Sequence, residues 1–86
     1  MAEVLIYTKP FCPYCSRALA TLKAKGATIR EIDDAAFNAA ARQEMLSRSG
    51  GKSTYPQIFI GERHVGGCDD LMALDRSGGL DPLLSA

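Results

Sequence analysis

Cys12-Pro13-Tyr14-Cys15 places two thiols three positions apart, between a strand-like run, Val4-Leu5-Ile6-Tyr7, and a helix-like one. Pro13 suits the first turn of a helix, where its missing N–H has no partner to lose. Cys12 then falls at the N-cap, beside unpaired N–H groups and the positive end of the helix dipole. Both favour a thiolate over a thiol. Cys15 lies one turn inside, close enough to Cys12 for a disulfide, and is expected to be more buried and less ionised. In this arrangement Cys12 attacks and Cys15 resolves. Two blander uses compete. C-x-x-C is half of a zinc site, but structural zinc takes four ligands. The remaining candidates, Cys68 and His64, belong to no second closely spaced pair, so no metal is expected. A purely structural disulfide closing so short a loop would constrain the unfolded chain little. A C-x-x-C pair that follows a strand in a βαβ pattern instead suits redox chemistry.

The whole chain bounds what those thiols can serve. Its 86 residues suit one domain with one modest core, spanning 1–86. The hydrophobic fraction is 47%, a globular composition. Lys plus Arg is 10 and Asp plus Glu is 10, so the zero formal charge gives no support to nucleic acid or a membrane surface as partner. No basic segment followed by a long apolar run marks a leader, and no apolar run could span a bilayer. Three cysteines in an unexported domain imply a reducing, cytoplasmic setting and a working thiol pair.

The elements that must position the pair can be read in order. Val4–Tyr7 reads as a strand buried on both faces, as parallel strands are. Thr8-Lys9-Pro10-Phe11 is a loop, with Phe11 packing in the loop or core. The first helix carries Tyr14, Ala18 and Leu22 on one stripe, basic residues Lys23 and Lys25 near its end, and Gly26 as its stop. Residues 27–32 read as a second strand, parallel to the first through a right-handed crossover. Asp33 and Asp34 are N-cap candidates for a helix through Phe37, Ala41 and Met45 that ends near Gly50-Gly51. Arg42 on it reads as an exposed arginine. Tyr55-Pro56 opens a third strand, Gln57–Ile60, with Phe59 in the core. Gly61-Glu62-Arg63 turns a hairpin into a fourth strand, 64–67, where His64 is a partly exposed strand residue. Cys68-Asp69-Asp70 begins a third helix, with Leu71 and Leu74 facing in. Asp81-Pro82 reads as an N-cap followed by Pro at N1 of a short last turn.

The order is β-α-β-α-β-β-α, and at this point the chain resembles a glutaredoxin of the dithiol, small bacterial type, within the thioredoxin-fold superfamily. The resemblance spans essentially the whole sequence. It is carried by Tyr7-Thr8-Lys9, Cys12-Pro13-Tyr14-Cys15, Thr54-Tyr55-Pro56, Gly66-Gly67-Cys68-Asp69-Asp70 and the ending Gly78-Gly79-Leu80-Asp81-Pro82-Leu83-Leu84. It implies an α/β thioredoxin fold with a four-stranded mixed sheet flanked by three helices. It also implies glutathione as co-substrate, no tightly bound cofactor, and glutathionylated or disulfide-containing proteins as partners of a monomer.

Glutathione is a peptide with two carboxylates, an ammonium and a thiol, so its site needs backbone pairing and partners of both signs. About 5–6% of X–Pro bonds in folded proteins are cis, yet the resemblance makes Pro56 the family's cis-proline. The Tyr55 backbone, with Thr54 before it, would then pair with the cysteinyl part like an added strand. Asp69 and Asp70 would cap their helix. Free N–H groups near Cys68 and Asp69 would take the γ-glutamyl carboxylate, and an Asp side chain its ammonium. Gly67 lets the ligand approach closely. Lys9 is assigned to the thiolate or the glycyl carboxylate, and Tyr14 to the ligand's edge. Cys68 reads as a small residue whose backbone matters more than its thiol, with a regulatory thiol as the second reading. One departure stands out. The family most often has T-V-P, and a tyrosine in the valine's place is expected to reshape the groove. The competing function is a binding module in which two chains share an iron–sulfur cluster through Cys12 and glutathione. Cluster-binding relatives usually lack a proline in the position of Pro13.

Overall fold

The computed structural model describes residues 2–86. Five elements build the frame of the site: β1 (Glu3–Tyr7), α1 (Pro13–Ala24), β2 (Thr28–Ile32), β3 (Gln57–Ile60) and β4 (Arg63–Gly66). The helices α2 (Ala39–Arg48), α3 (Cys68–Arg76) and α4 (Leu80–Ser85) complete it. The sheet order is β2-β1-β3-β4. β1 runs parallel to β2 and antiparallel to β3, and β3 is antiparallel to β4. The mixed sheet and its strand directions agree with those expected from the sequence.

Alternation along the central strands divides the core between two faces. Val4, Ile6, Ile58 and Ile60 pack with Ala18 and Leu22 of α1, Leu71 of α3, and Leu80 and Leu84 of α4. Tyr7 and Phe59 point the other way, onto Ala35 and Met45. The Tyr7 and Phe59 rings meet edge to face at 6.0 Å. The buried stripe of α1 is Cys15, Ala18 and Leu22; Tyr14, expected on that stripe, is 58% exposed.

Two helix starts differ from the sequence reading. Asp33 and Asp34 cap no helix. The Asp34 carbonyl accepts from the Phe37 N–H at 3.0 Å, and its carboxylate accepts from the Asn38 amide at 2.9 Å, so Asp34 closes a turn. Asn38 is the cap of α2, its Oδ1 accepting from Ala40 and Ala41 N–H. Phe37, expected on the helix, lies outside it and is 72% exposed. The last turn is a fourth helix whose N-cap is Gly79, so Pro82 sits at its third position, where an N–H still has no intrahelical partner. Asp81 instead binds Lys25 Nζ at 2.8 Å, and the same ammonium meets Asp75 at 2.9 Å, tying the end of α1 to α3 and α4. The fourth strand ends at Gly66, leaving Gly67 as the N-cap of α3.

Candidate active site

The first turn of α1 brings both thiols together. Cys12 is the N-cap, with extended backbone, and Pro13 opens the helix. Its Sγ accepts from the Cys15 N–H at 3.2 Å, taking the place an Asp or Ser oxygen holds in an ordinary cap. Both cysteines are free. Cys12 is 8% exposed and Cys15 3%. Burial pushes the Cys15 thiol up to about 12, and its hydrogen bond to the Cys12 sulfur adds to this. Cys15 is therefore held as a thiol, in keeping with its place one turn inside.

A groove of about 470 Å³ opens beside this turn. One wall is the segment leading into β3. The Tyr55–Pro56 bond is cis, as the resemblance implied. The fully buried Gln57 side chain fixes Thr54, three residues earlier: its amide N–H₂ donates to the Thr54 carbonyl at 2.9 Å and to the Thr54 hydroxyl at 3.1 Å. That orients Gln57 Oε1 toward His64 Nε2, 2.8 Å away, so His64 donates there. His64 is half-buried and stacks on Phe59 at 4.8 Å. Further back, the buried Ser49 hydroxyl donates to the Lys52 carbonyl and accepts from its N–H, which sets Lys52 at the groove's edge.

The other wall is the start of α3. Asp70 Oδ2 accepts from the Gly67 N–H at 2.9 Å, half of a capping box, since Gly67 has no side chain to answer it. The N–H groups of Cys68 and Asp69 have no intrahelical partner. Gly66 has φ +116°, and a Cβ there would collide with the Asp70 carboxylate. A Cβ on Gly67 would stand 3.5 Å from the Pro56 carbonyl across the groove. Cys68 is buried, and burial, with Asp69 and Cys12 adding, pushes its thiol up while Arg17 opposes.

Tyr14, Thr54, Tyr55, Pro56, Gly67, Cys68, Asp69 and Asp70 thus line one groove. Lys9, Cys12 and Cys15 line a second, of about 340 Å³. Lys9 Nζ stands 5.7 Å over the Tyr55 ring, linking the two sides. Arg42 is exposed on α2 and lines neither groove. Lys52, Gln57, His64 and Gly66 are groove residues that the sequence reading did not assign. Gln57 carried a usable signal: a polar residue opening an otherwise apolar, buried strand demands an internal partner. Phe11 is a further correction. It packs in neither loop nor core, because its backbone is left-handed, φ +57°, and swings the ring fully into solvent, 101% exposed. That conformation costs a residue with a Cβ roughly 1–2 kcal/mol.

With this geometry in place, the comparisons with known proteins agree among themselves. The family model Glutaredoxin matches residues 4–65. Glutaredoxin 3 of Escherichia coli K12 is 60% identical over 84 residues, which cover 98% of this chain and 99% of that one. The solution structure of glutaredoxin from Brucella melitensis has TM-score 0.82 at 58% identity, covering 98% of this chain and 89% of that one. The crystal structure of the buckwheat glutaredoxin–glutathione complex has TM-score 0.84 at 32% identity, covering 98% and 77%.

Proposed function

The chain belongs to the glutaredoxin family of glutathione-dependent thiol–disulfide oxidoreductases, and on that premise we propose that Cys12 is its attacking thiol and Cys15 its resolving one. The observation that carries this division is the asymmetry of the first turn: both sulfurs are buried, but one caps the helix and accepts an N–H, while the other lies one turn inside and is held protonated.

With a glutathionylated substrate, the Cys12 thiolate attacks the glutathionyl sulfur. The old S–S bond breaks, the substrate thiolate leaves and takes a proton, and Cys12 carries glutathione. The thiolate of a second glutathione attacks that adduct, giving oxidised glutathione and the Cys12 thiolate. With a protein disulfide, Cys12 bonds one protein sulfur and releases the other. Cys15 then loses its proton and attacks Cys12, leaving the Cys12–Cys15 disulfide and a fully reduced protein; two glutathiones restore the dithiol. Two of the influences that raise Cys15 come from the Cys12 sulfur, its hydrogen bond and its charge. Both weaken once Cys12 is in a mixed disulfide, so Cys15 becomes a better nucleophile when it is needed.

The larger groove takes glutathione. The Tyr55 backbone pairs with the cysteinyl unit, and the N–H groups of Cys68 and Asp69 bind the γ-glutamyl carboxylate. Asp69 or Asp70 meets the ammonium, while Lys9 and Lys52 suit the glycyl carboxylate. The enzyme works as a monomer in a cytoplasmic, reducing setting and holds no tightly bound cofactor. Among the described residues no helix is long and apolar enough to cross a membrane. The test is reduction of the mixed disulfide of glutathione and 2-mercaptoethanol, driven by glutathione or by thioredoxin reductase. Turnover with glutathione alone is expected; turnover with thioredoxin reductase alone would contradict the reading.

A further inference from the structure

Phe11 is explained neither by the fold nor by the glutathione groove. Its ring is fully exposed, so it buries no apolar surface that could favour folding. Its backbone is left-handed at φ +57°, a region that glycine or asparagine occupies with far less strain. A bulky residue kept in such a conformation points to a use outside the fold. The ring stands directly before Cys12, on the edge of the second groove, whose lining includes the exposed Pro13, the buried Cys15 and the half-buried Leu19. Of the polar residues that line it, the Thr8 hydroxyl is taken up by Glu31 at 2.7 Å, leaving Lys9 and Ser16 beside the apolar side chains. Around Phe11 this side offers apolar contact from Pro13 and Leu19, whereas the helix start proposed for the γ-glutamyl end of glutathione, Cys68 to Asp70, lies in the other groove.

We propose that Phe11 and the groove beside it dock the polypeptide of a protein disulfide substrate, with the ring covering an apolar side chain next to the substrate's half-cystine. The proposal rests on Cys12 being the attacking thiol. A protein sulfur can bond Cys12 Sγ only if its flanking chain passes the edge of the groove that Cys12 lines, and Phe11 and Pro13 are the exposed groove residues adjacent to Cys12, Phe11 the one with a large, fully exposed ring. The mixed disulfide of glutathione with a small thiol has no flanking chain to reach the ring. Phe11 is therefore a specificity residue for polypeptides, silent toward small substrates.

The test compares three substrates: a disulfide-closed peptide with Leu beside its half-cystine, the same peptide with Ser there, and the mixed disulfide of glutathione and 2-mercaptoethanol. Phe11→Asn keeps the left-handed backbone and removes the ring; Phe11→Leu keeps an apolar side chain. For Phe11→Asn, kcat/KM on the Leu peptide should fall about threefold to tenfold, the scale of one lost aromatic contact. The Ser peptide should change less, the small mixed disulfide not at all, and the melting temperature should hold or rise. Phe11→Leu should retain most of the activity on the Leu peptide. Equal losses on all three substrates, no loss on the Leu peptide, or a lowered melting temperature would each overturn the docking role. So would a wild-type protein that sediments as a dimer at assay concentration while Phe11→Asn is monomeric, since the ring would then seat a second copy of the chain. Absence of turnover on the small mixed disulfide by the wild type would instead sink the assignment of Cys12, a different failure.

Discussion

Cys15 carries a stability signature that can be read without any substrate. Its thiol is pushed from 9.0 up to about 12 by burial first and by Cys12 second, and Cys68 and Tyr7 are raised in the same direction by their own burial. A group raised in the folded state keeps its proton when the unfolded chain would release it. Its contribution is fully present below the unfolded value and is lost as pH rises from there through the folded value. The reduced protein should therefore lose stability steadily between about pH 9 and 11, seen as a falling urea midpoint. Cys15→Ser should flatten that fall. A midpoint that stays level over this range, or falls as steeply in the variant, would contradict the placement of Cys15. At this scale the sequence was informative where chemistry and position agreed. Proline at the helix start and a C-x-x-C spacing set Cys12 at the cap and Cys15 inside. It misled at Phe11, because an aromatic in a loop is ordinarily packed, and a left-handed backbone leaves no mark in residue type.

The start of α3 and the start of α2 use similar bonds for different ends. Asp70 accepts from the Gly67 N–H, and Asn38 accepts from Ala40 and Ala41 N–H. Losing the cap with Ala at Asn38 should lower stability by about 1 kcal/mol, and losing the capping-box bond with Ala at Asp70 should lower it as well. Only Asp70→Ala should also raise KM for the glutathione mixed disulfide, because only that helix start faces the groove. A pair of variants with matched stability and matched KM would assign both residues to capping alone. Helix existence was legible from apolar spacing and from glycine stops, but two starts were displaced. Several residues in one stretch could each cap a helix, and which one does depends on tertiary burial. Ala35 is fully buried under the sheet, which holds residues 34–37 in a turn and moves the start of α2 to Asn38. Similarly, Lys25 draws Asp81 into an ion pair, and the last helix starts at Gly79 instead.

Across the whole molecule, the sheet joins two segments far apart in sequence at one edge of the thiol pair. β1 delivers the loop to Cys12, β3 begins beside Pro56, and β4 hands the chain to Gly67 and α3. The βαβ unit and the hairpin were readable from pattern. The identities of most groove residues came from the family resemblance, since Thr54, Gly67 and Asp69 are ordinary loop and cap residues when read alone. Gln57, His64 and Lys52 were not found, because their relation to the groove exists only once the hairpin has folded against the loop before it. The central claim, that Cys12 attacks and Cys15 only resolves, is tested most directly by Cys15→Ser, assayed on a glutathione mixed disulfide and a protein disulfide, with intact mass read after exposure to oxidised glutathione. Turnover of the mixed disulfide should persist, turnover of the protein disulfide should be lost, and the protein should gain the mass of one glutathione, which a companion Cys12→Ser variant should not retain in that position. Equal loss of both activities in Cys15→Ser, with no stable adduct, would contradict it.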